Sequence, residues 1–516
     1  MKNILPRNWP MGVWVILCLA GLIMSSYAWI VSSPTGGSPD DDFHQASIWC
    51  PTPADQHCVV LPGEGDHPPI LVPQSVAQSD CYRFLAGKSA ACQLHLSDRL
   101  MIPVTRYDNG MYPGYYYDFM HMFVENDVDR AILVMRWVNV GLATLLYGAI
   151  FFLASPSGRR LTAYTLLGTA VPLVTFFSTS INPSAWAILG VVSAWLGFHL
   201  GLSPTSKPRR IALLSLGVVG AVLAAAARSD SGAYLVIICA AVLVYHWPTV
   251  IHRIRLVTPF VVASILGVLS FLSSNQADAA TGGMNFTGRQ QIGSIKLFVM
   301  NVFQLPEYVT GYWNFYMGWL DTKVPWTTTI CATAVAFGLC VWGISQAKMN
   351  FRHWLSIIGL FLAILGVPLL IVQASHTFVS YSGMQARYIA PLIIVFVGAC
   401  LADRNQPSRS LPLATTVAFV VLTSVANMYA LYTLIQRYVT GARLTGLSLS
   451  AGAQWWRGGG PSPMWTWVMG SVGFALMTTI LFAVRRPSVP EPALTTIDEY
   501  GSMSTSDPLT TGTQQK

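Results

Sequence analysis

Twelve long apolar segments limit the folds open to this chain more than any other feature. A bilayer core requires about 20 consecutive apolar residues for each spanning helix. The 516 residues are 53% hydrophobic and only 10% charged, which excludes an ordinary soluble globular protein. We therefore predict an all-α polytopic membrane protein. The segments lie at roughly 11–31, 131–153, 161–180, 184–202, 211–227, 232–247, 256–273, 326–345, 354–374, 387–402, 411–434 and 465–484.

The basic residues indicate the orientation of these segments. Short cytoplasmic loops of membrane proteins collect Lys and Arg. Arg159 and Arg160 follow the second segment, Arg485 and Arg486 follow the last, and the short turn at 180–183 has no basic residue. This pattern predicts that both termini are cytoplasmic, and it explains the formal charge of +8 without a nucleic-acid partner. The first segment exceeds the 7–15 apolar residues usual in a signal peptide, so we expect an uncleaved anchor.

Two long loops are predicted on the outer side, at 32–130 and 274–325, within a membrane domain that covers 1–485. The first contains the aromatic cluster "MYPGYYYDFMHMF", and the second contains the apolar run "IGSIKLFVMNVF", which is too short to span a bilayer. Such segments are typical of the interface between membrane and water. We expect both loops to lie against the outer face, and 486–516, rich in Pro, Ser and Thr, to be a disordered cytoplasmic tail.

Four cysteines occur in the first loop: Cys50, Cys58, Cys81 and Cys92. An even number of cysteines in one extracytoplasmic loop predicts two disulfides, which form in oxidising compartments. Three pairings are open. A zinc site is the alternative, although the spacing lacks paired CxxC knuckles.

An acidic cluster follows the first apolar segment, in "SPDDDFHQA", with Asp40, Asp41, Asp42 and His44 close together. Adjacent carboxylates repel, so one of them tends to have a raised pKa, which suits a general base. Carboxylates with a histidine could also hold a divalent cation. Alternatively, the aspartates could cap a helix that begins near Phe43. The residues alone leave these readings open.

Other ionisable side chains lie at the predicted outer edges of later segments. Arg387 and Arg228 could each bind a lipid phosphate through the planar guanidinium, or could extend to lipid headgroups. Asp321 and Lys323 precede the eighth segment and could be an exposed loop pair.

Several short motifs, in order along roughly 11–485, resemble those of a large bacterial family of multi-spanning proteins of unknown function. "SPDDDFHQA" resembles a P-D-E-x-x-H motif, with Asp41 in place of Glu, and "SINPSAW" resembles an S-I-N-P turn. "MGWLDTKVP" resembles a G-W-L-D-T-x-x-P element, and "GMQARYIAPL" resembles a G-R-Y-x-x-P-L element with Ala386 in place of Gly. The four cysteines are a further departure. That family in turn is similar to the GT-C glycosyltransferases, which use polyprenyl-phosphate sugars.

The resemblance implies a GT-C-like helical bundle in a bacterial cytoplasmic membrane. It implies transfer of a sugar from a polyprenyl-phosphate donor to a cell-envelope glycan or lipid acceptor at the outer face, among membrane lipids. It also implies residue roles: Asp40 or Asp41 as catalytic base with His44 assisting, Arg387 and Arg228 at the donor phosphate, and Trp319, Asp321, Lys323 and Tyr388 around the sugar. A divalent cation could assist, and its requirement stays open.

Two other classes of function fit the chain. Twelve spans suit a transporter or flippase of a lipid-linked envelope component, and a non-catalytic scaffold of envelope biosynthesis is a third reading. The charges cluster at the predicted outer edge and the middles of the spans are nearly free of them, which favours surface chemistry over transport.

Overall fold

The computed structural model describes residues 10–63, 67–274, 290–347, 349–379, 384–403, 410–442 and 446–482. The predicted tail at 486–516 and part of the second loop lie outside the described residues. The described chain is mostly helical, with two small sheets. In chain order the helices are α1 (Met11–Ser32), α2 (Asp41–Trp49), α3 (Gln74–Ala77), α4 (Tyr115–His121), α5 (Val128–Leu153), α6 (Pro156–Gly168), α7 (Pro172–Ser178), α8 (Ser184–Leu202), α9 (Lys207–Ala227), α10 (Ser229–Tyr245), α11 (Trp247–Ile251), α12 (Thr258–Leu272), α13 (Ser294–Thr310), α14 (Trp326–Gln346), α15 (Phe351–Ala374), α16 (Ala390–Leu401), α17 (Leu413–Val439) and α18 (Pro463–Phe482).

The long helices confirm the polytopic membrane architecture. Nine helices of the described chain are long and apolar enough to cross a bilayer, α12 among them when its preceding 3-10 turn Ile254–Val257 is included. The helices α6 and α7 form a tenth candidate that is bent by 95°, because Pro172 begins α7 and lacks the N–H that would continue the ladder. The helices α10 and α16 are shorter, with 17 and 12 residues. Each of the twelve predicted segments thus corresponds to a helix or to the bent pair, but fewer than twelve pass as full spans.

The pair α8 and α9 shows how the bundle packs. A Cβ atom added at Gly190 would lie 2.4 Å from the backbone nitrogen of Ala224, and one at Gly220 would lie 2.6 Å from that of Ala194. Small residues at such positions let two helix backbones approach closely inside a membrane. As a result α8 is buried along its whole length.

The first loop folds into a small lobe. The strands β1 (Ile70–Pro73) and β2 (Met101–Val104) pair antiparallel, and two disulfides join Cys50 to Cys58 and Cys81 to Cys92. These bonds answer the pairing that the sequence left open, and they leave no thiolate of this loop for zinc.

The aromatic cluster of this loop is partly buried, and Tyr115 in it is 66% exposed, so its predicted position at the headgroups stays a prediction. Tyr116 and Tyr117 on α4 are each 1% exposed, and the Tyr116 ring packs against Trp186 of α8 at 5.1 Å between centroids. Tyr116 and Tyr117 belong to one hydrophobic core that joins the lobe to side chains of α5 and α8.

The second loop contains α13 and a short hairpin, with β3 (Tyr316–Met317) paired to β4 (Thr322–Lys323). One face of α13 packs on α15 through buried side chains such as Leu297 and Leu305. The other face is apolar and open, with Ile295 83% and Phe303 81% exposed. This amphipathic helix is longer than the predicted apolar run, and it has the character expected of an interfacial segment.

Candidate functional site

The acidic cluster begins at a buried turn between α1 and α2, and Arg136 of α5 holds the start of that turn. Residues 28–39 are all buried, although this stretch lies mostly outside regular structure. Buried carbonyl groups require hydrogen-bond donors. Arg136 donates from Nη1 to the carbonyls of Ile30 at 2.9 Å and Ser33 at 2.6 Å, and from Nη2 to that of Pro34 at 2.7 Å.

Side chains from distant elements hold the rest of the turn. The two glycines in it are required: Gly36 has φ +68°, and a Cβ atom there would lie 2.5 Å from Ser79 Oγ. The donors to its carbonyls come from the lobe, the bundle and the second loop. They are Arg457 to Ser33 at 2.9 Å, Tyr82 to Thr35 at 3.0 Å, Trp319 to Gly36 at 2.9 Å, Tyr438 to Gly37, and Asn182 to Pro39 at 3.1 Å.

These contacts bring several sequence motifs together. Asn182 belongs to "SINPSAW" and Trp319 to "MGWLDTKVP", and both bind the turn that precedes Asp40. Trp319 is 4% exposed. The observed contacts of these residues are therefore structural, and the sugar contact predicted for Trp319 stays a prediction.

Asp321 also has a structural contact. Its carboxylate accepts two hydrogen bonds from Arg437 of α17, at 2.6 Å from Nη2 and 3.2 Å from Nε. Arg437 is fully buried and also donates to the carbonyls of Tyr82 and Lys88 in the lobe. Lys323, by contrast, is exposed, with Nζ 4.8 Å from the centroid of the Trp326 ring. Asp321 and Lys323 therefore do not form a pair, and their predicted sugar contacts stay predictions.

Of the three aspartates, Asp41 is the enclosed one. It is fully buried, and it accepts hydrogen bonds from the backbone N–H of Ser38, at 2.8 Å, and from the Ser38 hydroxyl. Burial raises the pKa of Asp41 to about 6. The pKa of one member of the cluster is thus raised, as expected, but the main cause is burial and the carboxylate cannot reach a substrate.

His44 is enclosed as well. Its Nδ1 lies 2.9 Å from the Tyr117 hydroxyl, and its ring packs between aromatic side chains, with 1% of the residue exposed. Burial lowers the pKa of His44 to about 3, so the ring is neutral at physiological pH. Its predicted part in catalysis stays a prediction, and its observed side-chain hydrogen bond is to Tyr117.

Asp40 is the carboxylate that solvent can reach. It precedes α2 in the left-handed region with φ +65°, and its side chain is 35% exposed. Arg387 donates from Nη2 to Oδ2 at 2.8 Å, and Arg106 donates from Nη2 to Oδ1 at 2.8 Å. Burial alone would raise the pKa of Asp40, but the two guanidiniums, Arg387 most of all, outweigh it and lower the pKa to about 2.

Arg106 was not anticipated from the sequence. It follows β2 and bridges Asp40 and Asp42, and Arg83 lies 3.5 Å from the second oxygen of Asp42. Nothing in "PVTRYDNG" distinguishes this arginine from a solvated one, since the lobe fold alone brings it to the acidic turn. The structure therefore confines Asp42 to surface ion pairs.

Arg387 joins Asp40 to a cavity. It is 3% exposed and lies in a 3-10 turn, Ala386–Tyr388, before α16. Its Nη2 binds Asp40 and also lies 3.3 Å from the Tyr388 hydroxyl. Its Nε and Nη1 are buried and have no hydrogen-bond partner among the described residues. A buried guanidinium with open donors indicates a place for an acceptor.

The second predicted arginine lies nearby. The guanidinium of Arg228 is 4.7 Å from the Tyr388 ring centroid, and that of Arg387 is 5.1 Å from it. Asp230 holds Arg228 with two hydrogen bonds of 3.0 and 2.9 Å, so its charge is already compensated. The structure thus brings together Asp40, Arg387, Tyr388 and Arg228, four of the predicted site residues.

A cavity of about 370 Å³ lies against Arg387. Its wall combines apolar and polar side chains from α7, from the end of α13, from the β3–β4 hairpin and from the segment before α16. The residues that line it are Leu173, Phe177, Gln304, Glu307, Tyr308, Gly311, Asn314, Phe315, Tyr316, Leu320, Val379, Met384, Gln385, Ala386 and Arg387.

A divalent cation does not fit the acidic turn as it stands. Both Asp40 oxygens are bound to guanidiniums, and Asp41 is bound to Ser38. No group of three His, Cys, Asp or Glu side chains within the described ranges is placed to hold a metal ion. We therefore assign no step to a cation.

Two solved structures are similar to this chain. They are ArnT from Cupriavidus metallidurans bound to undecaprenyl phosphate and ArnT from the same organism in the apo state. The first has 11% identity and a TM-score of 0.46 over 92% of this chain and 77% of that one. The second has 14% identity and a TM-score of 0.43 over 91% and 76%.

The search of curated proteins found no match. The profile of one family, described as "Predicted membrane protein (DUF2142)", matches residues 23–397. That range covers the acidic turn, Asn182, the β3–β4 hairpin and Arg387, which are the parts of the site described above. The chain belongs to the DUF2142 family of predicted membrane proteins.

Proposed function

We propose that this protein is a membrane glycosyltransferase that uses a polyprenyl-phosphate sugar. It would transfer the sugar to a cell-envelope glycan or lipid acceptor at the outer face of a bacterial cytoplasmic membrane. One observation carries the proposal: the Arg387 guanidinium binds Asp40, two of its buried nitrogens have no hydrogen-bond partner among the described residues, and Arg387 lines a cavity.

A lipid phosphate suits that cavity. Phosphate oxygens accept the parallel hydrogen bonds that a guanidinium offers, and such charge-assisted bonds are strong. Leu173, Phe177 and Leu320 line the same cavity and offer an apolar surface to the first isoprene units. The open apolar face of α13 is next to it along the chain and would lie in the membrane interface.

Asp40 is the base that the geometry favours. The hydroxyl oxygen of the acceptor attacks the anomeric carbon, and the bond from that carbon to the phosphate oxygen breaks. Polyprenyl phosphate leaves with the bonding electrons, held by Arg387, and the hydroxyl proton passes to Asp40. The full burial of Asp41 supports the choice of Asp40 over Asp41 for this role.

Binding of the donor would also make Asp40 a stronger base. A carboxylate with a pKa near 2 is a weak proton acceptor. A phosphate bound to Arg387 competes with Asp40 for the same guanidinium, so the pKa of Asp40 should rise in the donor complex. Arg106 would keep the carboxylate in place meanwhile, through its bond to Oδ1.

The test uses membrane vesicles from a deletion strain complemented with single variants, and a panel of radiolabelled polyprenyl-phosphate sugars. We expect Asp40→Asn to lower transfer of label into envelope glycans by about 10²–10⁴-fold while the donor still binds. Arg387→Gln should lose donor binding. The matched controls are Asp55→Asn and Arg99→Gln, two exposed residues of the lobe, which should retain activity.

Wild-type transfer by Asp40→Asn would contradict the proposal. Movement of intact lipid-linked sugar across the vesicle membrane, without any glycosyl product, would favour the transporter instead.

A further inference from the structure

We propose that Asn314 and Gln385 form the sugar subsite of this cavity, built for a single neutral, hydroxyl-rich monosaccharide. The proposal rests on the proposed function and adds the class of sugar. Nothing in the sequence had marked either residue.

The two side chains line the same cavity as Arg387 and reach it from different segments. Asn314 follows the end of α13, and Gln385 lies two residues before Arg387. The amide oxygens, Asn314 Oδ1 and Gln385 Oε1, are both buried without a hydrogen-bond partner among the residues that the structure describes. Two buried acceptors without a partner therefore accompany the two buried donor nitrogens of Arg387 that also lack one.

This combination is complementary to a sugar phosphate. The phosphate presents acceptor oxygens, which match Nε and Nη1 of Arg387, and the sugar presents hydroxyl donors, which match the amide oxygens. An isoprene chain offers no donors, and it would leave both amide oxygens buried and unpaired. The polar part of the wall thus indicates the sugar rather than more of the lipid.

Charge and size narrow the class of sugar. Glu307 lines the cavity and is exposed, and Arg387 is the one cationic side chain among the described lining residues. A sugar with its own carboxylate would bring a second anion beside Glu307 and beside two acceptor oxygens, with Arg387 already bound to the phosphate. The volume of about 370 Å³ is at the lower end of the range for ligand pockets, which suits one monosaccharide.

The experiment measures binding to the full-length protein in nanodiscs with three probes: polyprenyl phosphate, polyprenyl-phosphate glucose and polyprenyl-phosphate glucuronate. The variants Asn314→Leu and Gln385→Met keep the side-chain shape and remove the amide. We expect each to weaken binding of the glucose lipid by about tenfold. Binding of the lipid without sugar should stay within about twofold. Gln78→Met, on the exposed surface of the lobe, is the matched control.

A separate comparison of two lipid-linked sugars tests the class of sugar. Wild-type protein should bind the glucose lipid at least about tenfold more tightly than the glucuronate lipid, and Glu307→Gln should narrow that ratio. Equal binding of the two lipids by wild-type protein would overturn the assignment of the sugar class.

The remaining outcomes separate the two proposals. If the variants bind all three lipids as wild-type protein does, the subsite is wrong, whether or not sugar is transferred. If they lose the lipid without sugar as well, the subsite is also wrong, because a sugar contact cannot control that probe. If the expected pattern is found but no acceptor ever receives sugar, the subsite stands and the proposed transferase activity fails.

Discussion

Two of the Asp–Arg pairs that join distant segments, Asp321–Arg437 and Asp40–Arg387, differ in how completely their polar groups are satisfied. In the pair Asp321–Arg437 the arginine is fully buried, the carboxylate is 6% exposed, and hydrogen bonds to two lobe carbonyls complete the guanidinium. In the pair Asp40–Arg387 the carboxylate is 35% exposed and two guanidinium nitrogens are open. An Asp–Arg pair whose hydrogen-bonding groups are all satisfied thus stabilises the fold. A pair with unsatisfied groups is available to bind a ligand.

The largest effect should come from breaking the buried pair Asp321–Arg437. Asp321→Asn leaves the buried Arg437 charge uncompensated, which should destabilise the protein by about 3–5 kcal/mol and lower its melting temperature in detergent. Arg387→Met should destabilise the protein less, because that guanidinium is incompletely paired and Arg106 would still bind the Asp40 carboxylate. Similar losses of stability in both variants would abolish the distinction between the pairs.

A second effect concerns Asp41, the enclosed neighbour of Asp40. Its pKa is about 6 in the folded protein and near 3.9 when unfolded, so the folded state holds the proton more tightly. The free energy of unfolding should therefore fall as pH rises from about 4 to about 6, by an amount on the order of 3 kcal/mol. Thermal unfolding across this window should show the slope in wild-type protein and lose it in Asp41→Asn. The lowered pKa of Asp40 affects a different pH range. Its contribution to the free energy of unfolding is lost only as pH falls from about 4 towards 2.

The smallest effect should come from removing Arg106, which binds the Asp40 carboxylate of the pair Asp40–Arg387. Arg106→Gln takes away one of the two guanidiniums that lower the pKa of Asp40, so that pKa should rise by roughly one pH unit. The acidic limb of the pH dependence of kcat/KM should move to higher pH by the same amount, since Asp40 must be ionised to accept a proton. Arg99→Gln, outside this cluster, should leave the profile in place. An unchanged limb in Arg106→Gln would indicate that another group is the base.

The sequence predicted the parts of this molecule that depend on local pattern. Hydropathy located each candidate membrane helix of the described residues, because each one needs its own apolar run, and it also located the bent pair as a single segment. The acidic motif and Arg387 were both named, although 347 positions separate Asp40 from its partner. Four cysteines predicted two disulfides, which the structure contains.

The sequence could not assign roles inside the motif, because those depend on tertiary contacts. Asp40 and Asp41 are neighbours of the same type, and only the left-handed conformation of Asp40 and the capture of Asp41 by Ser38 separate them. Arg106 and Arg437 had no local signal at all. The sequence could not separate the buried Tyr116 and Tyr117 from the exposed Tyr115, because an interfacial belt and a buried core use the same residue types.

The supports of the acidic turn also have a consequence for biogenesis. The turn follows α1, yet Tyr438 and Arg457, which bind its carbonyls, lie 401 and 424 positions later in the chain. The turn can therefore reach its observed conformation only after α17 and the segment up to Arg457 have been made. A nascent chain that ends before Arg457 would carry the whole acidic motif without these supports, so we expect the proposed activity to depend on these late segments.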